Sequence, residues 1–184
     1  MNHYGGKELS DAFRTVRKNT IQIAEDIPED KYGFSAAPDT RTVAQTLAHI
    51  AVSPQFQLAV HQSGITDMKT LNFADLFQNF TAEENKPRSK AELIEYLRSS
   101  GDGFASFLET VDDAFLAERV SLPPGAQPAS KTRFEMLLGA KEHEMHHRGQ
   151  LMLVQRILGQ VPHLTRVMQE RMAARQAATA QASQ

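Results

Sequence analysis

The sequence predicts an all-α protein, an antiparallel-type four-helix bundle with a short extra helix at its C-terminus. Three observations carry this. Apolar residues recur at helical spacing through four long segments, and Ser, Thr, Pro and Gly stand where helix ends need them. No alternating apolar and polar run with β-branched enrichment competes. One unusually long connection, residues 64–88, separates the second segment from the third, as a bundle with a crossover requires.

The first helix is expected from Lys7 to about Glu25, where Leu9, Phe13, Val16, Ile21 and Ala24 form a stripe that Ile27-Pro28 interrupts. After the loop around Ala36-Ala37-Pro38, Asp39 or Thr40 can cap a second helix through TVAQTLAHIAVSPQFQLAVHQSG, with Gly64 as its stop. Pro54 lies inside that pattern and should kink or break it, because it has no N–H and clashes with the preceding turn. LNFADLFQNF reads as a short helix or an irregular connection. SKAE at Ser89 is a capping-box pattern that opens the third helix, whose middle Gly101 and Gly103 weaken. The loop SLPPGAQPAS ends at Ser130 and Thr132, either of which can start a fourth helix over about 131–158, ended by Gly159 and Pro162. An Ala/Gln-rich tail allows a short fifth helix from Thr165 before fraying. The division expected is therefore a bundle over residues 1–162 and a terminal helix with frayed tail over 163–184.

Composition narrows the function. A chain of 184 residues with 41% apolar content is long enough for one sizeable core. Lys+Arg at 20 against Asp+Glu at 22 leaves no basic field, and no cationic run marks a surface for nucleic acid or anionic lipid. Cysteine is absent, which excludes disulfides, thiolate metal ligands and a thiol nucleophile. Any metal must be held by imidazole and carboxylate. There is no signal-like apolar segment and no apolar run of membrane-spanning length, so the expectation is a soluble, cytoplasmic protein.

The chemistry concentrates in KEHEMHHRGQL, residues 141 to 151. His143 and His147 are four apart and project from one helix face, in a stripe with Met136, Gly139, Ala140, Gln150, Val154 and Leu158 that a bundle would bury. Gly139 and Ala140, one turn earlier, leave room beside the imidazoles. Two adjacent buried imidazoles need partners, since an unpaired buried polar group costs roughly 1–3 kcal/mol. Among the remaining histidines, His49 in TLAHIA is the one placed to point into a bundle, whereas His3, His61 and His163 read as solvated. His146 is displaced to the other side of the stripe, as a hydrogen-bond partner or a boundary residue. Arg148 faces away from the stripe, and Gly149 is read as permitting close helix approach.

HEMHH also spells the zinc-peptidase motif H-E-x-x-H, in which Glu144 would activate water. The continuation fails: Gln150 and Leu153 stand where a metzincin needs Gly and His, and no strand offers a substrate edge. Glu144 and Gln150 remain as polar groups that could orient an imidazole or hold a nucleophile. Each could equally be a surface or boundary residue, the reading favoured for Glu144.

A single His in the second helix, here TLAHIA, followed about a hundred residues later by H-x-x-x-H running into RGQ, resembles the DinB/YfiT-like superfamily of bacterial helical metalloproteins. The likeness extends from the first helix to about residue 160. It implies an up-down-down-up four-helix bundle, commonly a homodimer, and a divalent metal held by His49, His143 and His147. An all-imidazole site suits zinc or nickel first, with iron or copper also compatible. Some members are thiol transferases or isomerases that use low-molecular-weight thiols, so the resemblance implies a small thiol and a small electrophilic substrate as partners. Two functional classes follow. One is a metal-dependent enzyme of the thiol S-transferase or hydrolase type; the other is a non-catalytic metal-binding or regulatory bundle, in which the ion pins two helices together.

Overall fold

In a computed structural model that describes residues 4–182, the bundle is made by α1 (Gly6–Asp26), a second arm split into α2 (Val43–Val52) and α3 (Pro54–Gln62), then α5 (Lys90–Thr110) and α7 (Arg133–Ile157). Between the arms lie α4 (Phe73–Asn85), the short α6 (Asp113–Ala117) and a hairpin of β1 (Arg119–Ser121) with β2 (Ser130–Thr132); α8 (His163–Ala182) ends the chain. Side-chain contacts give the directions. Ser10 bonds the carbonyl of Ala105 while Lys90 reaches those of Glu25 and Ile27, so α1 and α5 are antiparallel. Tyr4 meets Phe134 and Arg17 meets Glu144, so α1 and α7 run together. His49 opposite His143 and His61 opposite Arg133 set the second arm antiparallel to α7. The course is up-down-down-up, with residues 64–88 crossing between the two parallel arms.

Local chemistry explains several departures from the sequence expectation. The second arm starts at Thr42, not Asp39 or Thr40, because only Thr42 has Gln45 three positions on. Its hydroxyl takes the Gln45 N–H at 3.1 Å and the Gln45 side chain takes the Thr42 N–H at 3.0 Å. Pro54 does break the helix, at Ser53, and becomes the first residue of α3. The Ile50 carbonyl, which a residue other than proline at 54 would satisfy, instead accepts Nη2 of Arg17 at 3.3 Å. From Phe73 onward LNFADLFQNF forms the start of a helix of 13 residues, α4, with Asn72 as its cap and Phe73, Leu76, Phe77 and Phe80 on one face. The loop after α6 is clasped by the β1–β2 pair, which the sequence reading missed because each strand has only three residues. The terminal helix begins at His163 rather than Thr165 and is not short, with 20 residues over about 30 Å.

Among the described residues the core has three apolar clusters. One gathers Ile23, Leu47, Ile50, Leu97 and Leu151 between the four arms. A second centres on Phe13, Phe104 and Leu137. The third, Val60, Met68, Val120 and Met136, sits under the crossover and hairpin.

At the middle of the bundle Arg17 joins all four arms. Its Nε donates to both carboxylate oxygens of Glu144 on α7 at 3.0 Å, Nη1 to the Leu97 carbonyl at 2.6 Å and Ser100 Oγ at 2.9 Å on α5, and Nη2 to the Ile50 carbonyl on α2. Gly101, expected only to weaken α5, has a purpose: a Cβ there would lie 2.8 Å from Arg17 Cγ. Gly149, by contrast, has open space where its Cβ would be and mediates no close approach.

Two histidines expected to be solvated are buried. His163 packs on α1 with Nε2 3.2 Å from Asn19 Oδ1. His61, 2% exposed, lies between Arg133 at the start of α7 and the Phe115 ring of α6. Its Nε2–H donates to Gln57 Oε1 at 3.1 Å, and its bare Nδ1 accepts Nη1 of Arg133 at 3.0 Å. His3 lies outside the described residues. Burial, with Arg133 adding to it, pushes His61 from the usual 6.5 down to about 4. Between those values the unfolded chain binds the proton and the native one does not, so stability falls as the pH drops from 6.5 to 4. Urea melts across this window should be flatter for His61→Gln than for wild type; equal slopes would assign the acid sensitivity elsewhere.

Candidate metal centre

Helical periodicity brings His143 and His147 to one side of α7, and the antiparallel second arm brings His49 across to them. The His49 Nε2 lies 3.1 Å from His143 Nε2, and His147 Nε2 lies 3.2 Å from the same atom. Among the described residues these three form a cluster whose ligand atoms all fall within 4.8 Å of one another. Two imidazole nitrogens about 2.05 Å from one tetrahedral ion would be about 3.3 Å apart, close to the observed separations.

The outer nitrogens settle the tautomers. His49 Nδ1 lies 2.5 Å from Glu84 Oε1, and His147 Nδ1 lies 2.8 Å from Gln150 Oε1. Both oxygens are acceptors, so both Nδ1 atoms carry the hydrogen and both Nε2 atoms present lone pairs to the centre. One hydrogen on His143 Nε2 could answer them only partly. A cation answers all three, so the donor set fits a bound metal ion.

Electrostatics agrees. Burial, then His147, His49, His146 and Arg41, push His143 down to about 4, which keeps it neutral at ordinary pH. Burial also lowers His147, against the hydrogen bond to Gln150. Burial raises the Glu84 carboxyl, but hydrogen bonds from Arg41 and His49 outweigh it and hold the group below its usual range. Arg41 Nε reaches Glu84 Oε2 at 2.8 Å. Glu84 thus stands as a carboxylate behind an imidazole, an arrangement that orients a ligand and raises its basicity.

Sequence reading missed Glu84. The signal was present, since Glu84 continues the α4 stripe of Phe73, Phe77 and Phe80 by one turn. Glu144 is not part of the cluster: 2% exposed, it is committed to Arg17. This also disposes of the H-E-x-x-H reading, because its would-be base is locked in the core. The surface reading of Glu144 is corrected as well, because α1 covers that flank of α7. The most deeply buried side of α7 is set by Arg133, Leu137, Glu144, Leu151 and Gln155; in the histidine stripe beside it Met136 and His147 are buried and His143 is half-buried. Gln150 does meet an imidazole. His146 is exposed, with Nε2 3.3 Å from Gln150 Nε2, and helps to fix that amide.

Two clefts reach the centre. One of about 540 Å³ is largely apolar and includes His49 and His143 in its lining. The other, about 640 Å³, is lined by His147, Gln150, Asp39, Thr40 and Arg41 along with apolar residues. Removal of the Glu84 carboxylate by Glu84→Ala is expected to weaken metal binding about 10–100-fold. Competition titration against a chelator measures this, and unchanged affinity would show that Glu84 only tethers α4.

The sequence profile of the DinB superfamily matches residues 12–151. No curated protein matches the sequence. Among solved structures, a DinB-like protein from Bacillus subtilis is similar at 23% identity and a TM-score of 0.62, over 84% of this chain and 94% of that one. YfiT from Bacillus subtilis, described as a probable metal-dependent hydrolase with an unusual four-helix bundle topology, is similar at 13% identity and a TM-score of 0.67, over 87% and 91%. An uncharacterised protein from Clostridium difficile is similar at 14% and 0.65, over 85% and 99%.

Proposed function

The chain belongs to the DinB superfamily, and from that premise we propose that it is a divalent-metal-dependent enzyme of the thiol S-transferase or hydrolase type. One observation carries the reading: three imidazole Nε2 atoms converge where two clefts open, whereas an ion that merely pinned helices together would be sealed in the core. The description of YfiT as a probable metal-dependent hydrolase lends support.

His49, His143 and His147 would hold the ion, zinc or nickel first and iron or copper also compatible. A bound ion of this kind supplies Lewis-acid chemistry, lowering the pKa of a water or thiol at its open position. Glu84 fixes the His49 ring and Gln150 the His147 ring, so the lone pairs stay aimed at the centre. Arg41 neutralises Glu84, and with Asp39 and Thr40 lines a wall suited to a small polar molecule such as a low-molecular-weight thiol.

Purified protein loaded with zinc or nickel, incubated with small thiols and an aryl halide or an activated ester, tests this directly. Chelator-sensitive formation of a thioether identifies a transferase, and chelator-sensitive ester cleavage alone a hydrolase. Turnover that survives the chelator would defeat the metal-dependent mechanism, and no turnover with either pair favours the non-catalytic metal-binding reading. A thiol co-substrate would place the protein in the cytoplasm; no helix among the described residues is long and apolar enough to cross a membrane.

A homodimer is part of the proposal. Leu153 and Ile157 on α7 and Leu164, Val167, Met168 and Met172 on α8 are exposed apolar side chains near one end of the chain. Sedimentation should give twice the chain mass for wild type and the single mass for Ile157→Glu/Met168→Glu; a monomeric wild type would remove the dimer from the reading.

A further inference from the structure

Resting on the metal-dependent reading above, we propose that the organic substrate carries an elongated, uncharged apolar group, which docks in the phenylalanine-lined cleft with its reacting end at His49 and His143.

The cleft's size suits a small organic molecule. Phe73, Phe77 and Phe80 of α4 form one wall, Phe56 of α3 another, and Gly139 with Ala140 of α7 the side nearest the histidines. Phe77 is 65% exposed, and no residue of α4 is fully buried. Phe77 therefore stands open to the cleft, while Phe73 and Phe80 are half-buried and Phe73 packs beside Phe56. What fixes it is the metal centre's own periphery: Glu84 bonds His49 and Arg41, and Asn85 bonds Gln45. Cleft wall and ligand support are thus one element.

Gly139 adds an independent observation. It lies one turn before His143, and no atom from beyond its own stretch of helix comes within 4 Å of where its Cβ would stand. The cleft is open right beside the imidazoles. From His143 back to Glu135 the lining follows eight residues of helix, about 12 Å, which sets an elongated shape. Lys131 and Glu135, of opposite sign, are the charged side chains of the lining, so no net field favours an anionic or cationic body. The second cleft, with Arg41, Asp39 and Thr40, offers the polar surroundings that this one lacks.

Binding of alkanethiols to the cobalt(II)-loaded protein, read by its visible absorption, tests the proposal. Affinity is expected to rise about fourfold per added methylene from ethanethiol to hexanethiol, with mercaptosuccinate gaining nothing over ethanethiol. Gly139→Leu, which fills the cleft, and Phe77→Ser, which alters an exposed side chain, should retain cobalt and flatten this dependence. Metal-free protein is tested separately with N-phenyl-1-naphthylamine, whose fluorescence should increase with wild type and not with Gly139→Leu. Affinities independent of chain length, or a naphthylamine signal unchanged by Gly139→Leu, would overturn the cleft assignment. Failure to take up cobalt would instead defeat the metal-dependent reading, and the naphthylamine result would still decide what the cleft binds.

Discussion

His143→Ala is expected to abolish metal binding, from about one ion per chain to less than a tenth, measured by elemental analysis after gel filtration. His143 Nε2 is the atom that both other ligands approach, at 3.1 and 3.2 Å, so its loss removes the central donor and leaves an ion only two imidazoles, from different helices. The loss in affinity should exceed the roughly 10–100-fold expected for an outer partner such as Glu84. His49→Ala and His147→Ala should also fall well below wild type. The metal-free fold should survive, because His143 is only half-buried and belongs to none of the apolar clusters. Its proton linkage sharpens the control. Wild-type His143, pushed down to about 4, stays unprotonated in the native state while the unfolded chain takes up a proton below 6.5, so stability is lost as the pH falls through that window. Metal-free His143→Ala should therefore lose less stability between pH 7 and pH 5 than wild type. Retention of a full equivalent of metal by this variant would refute the three-histidine centre.

The largest effect on stability is expected at Arg17 and Glu144. Both side chains are almost wholly buried, at 5% and 3% exposure, and are paired through two nitrogens of one guanidinium. Removing either partner leaves an uncompensated charge in the core, a loss of about 3–5 kcal/mol. Arg17→Met and Glu144→Leu should each show it in urea melts. The double variant should recover much of the loss, since an apolar pair of similar volume avoids the desolvation of both ions. Simple additivity of the two single losses would mean that the charges do not act as a pair. Glu144→Leu should also weaken metal binding modestly, because Arg17 and Glu144 set how α7 is rotated and so where His143, the preceding residue, points.

Periodicity made much of this legible in the sequence. Four apolar stripes, the capping box at Ser89 and the stop at Gly159 placed the arms, since helix ends and helix faces are local properties. The i, i+4 spacing put His143 and His147 on one face for the same reason. The motif HRGQ after them, with His49 in the second helix, led to the family and through it to the third ligand. Helices hidden by context were harder. The α4 stripe was present in Phe73, Leu76, Phe77 and Phe80, but none of its residues is fully buried, so the segment allowed a short helix or an irregular connection alike.

What the sequence determined by itself is the set of elements and the two ligands that share a turn of helix, because those depend on bonds and spacings within a few residues. Which charges lie inside was decided by the tertiary structure. Glu144 and His61 sit on helices whose own patterns would allow either exposure or burial, and the choice came from α1 packing on the one and from α6 and the start of α7 packing on the other. Glu84 reaches His49 from 35 positions away in the chain only because α4 crosses the second arm. Such partners follow from how helices pack, and a pairing between distant elements leaves no spacing in the sequence to read.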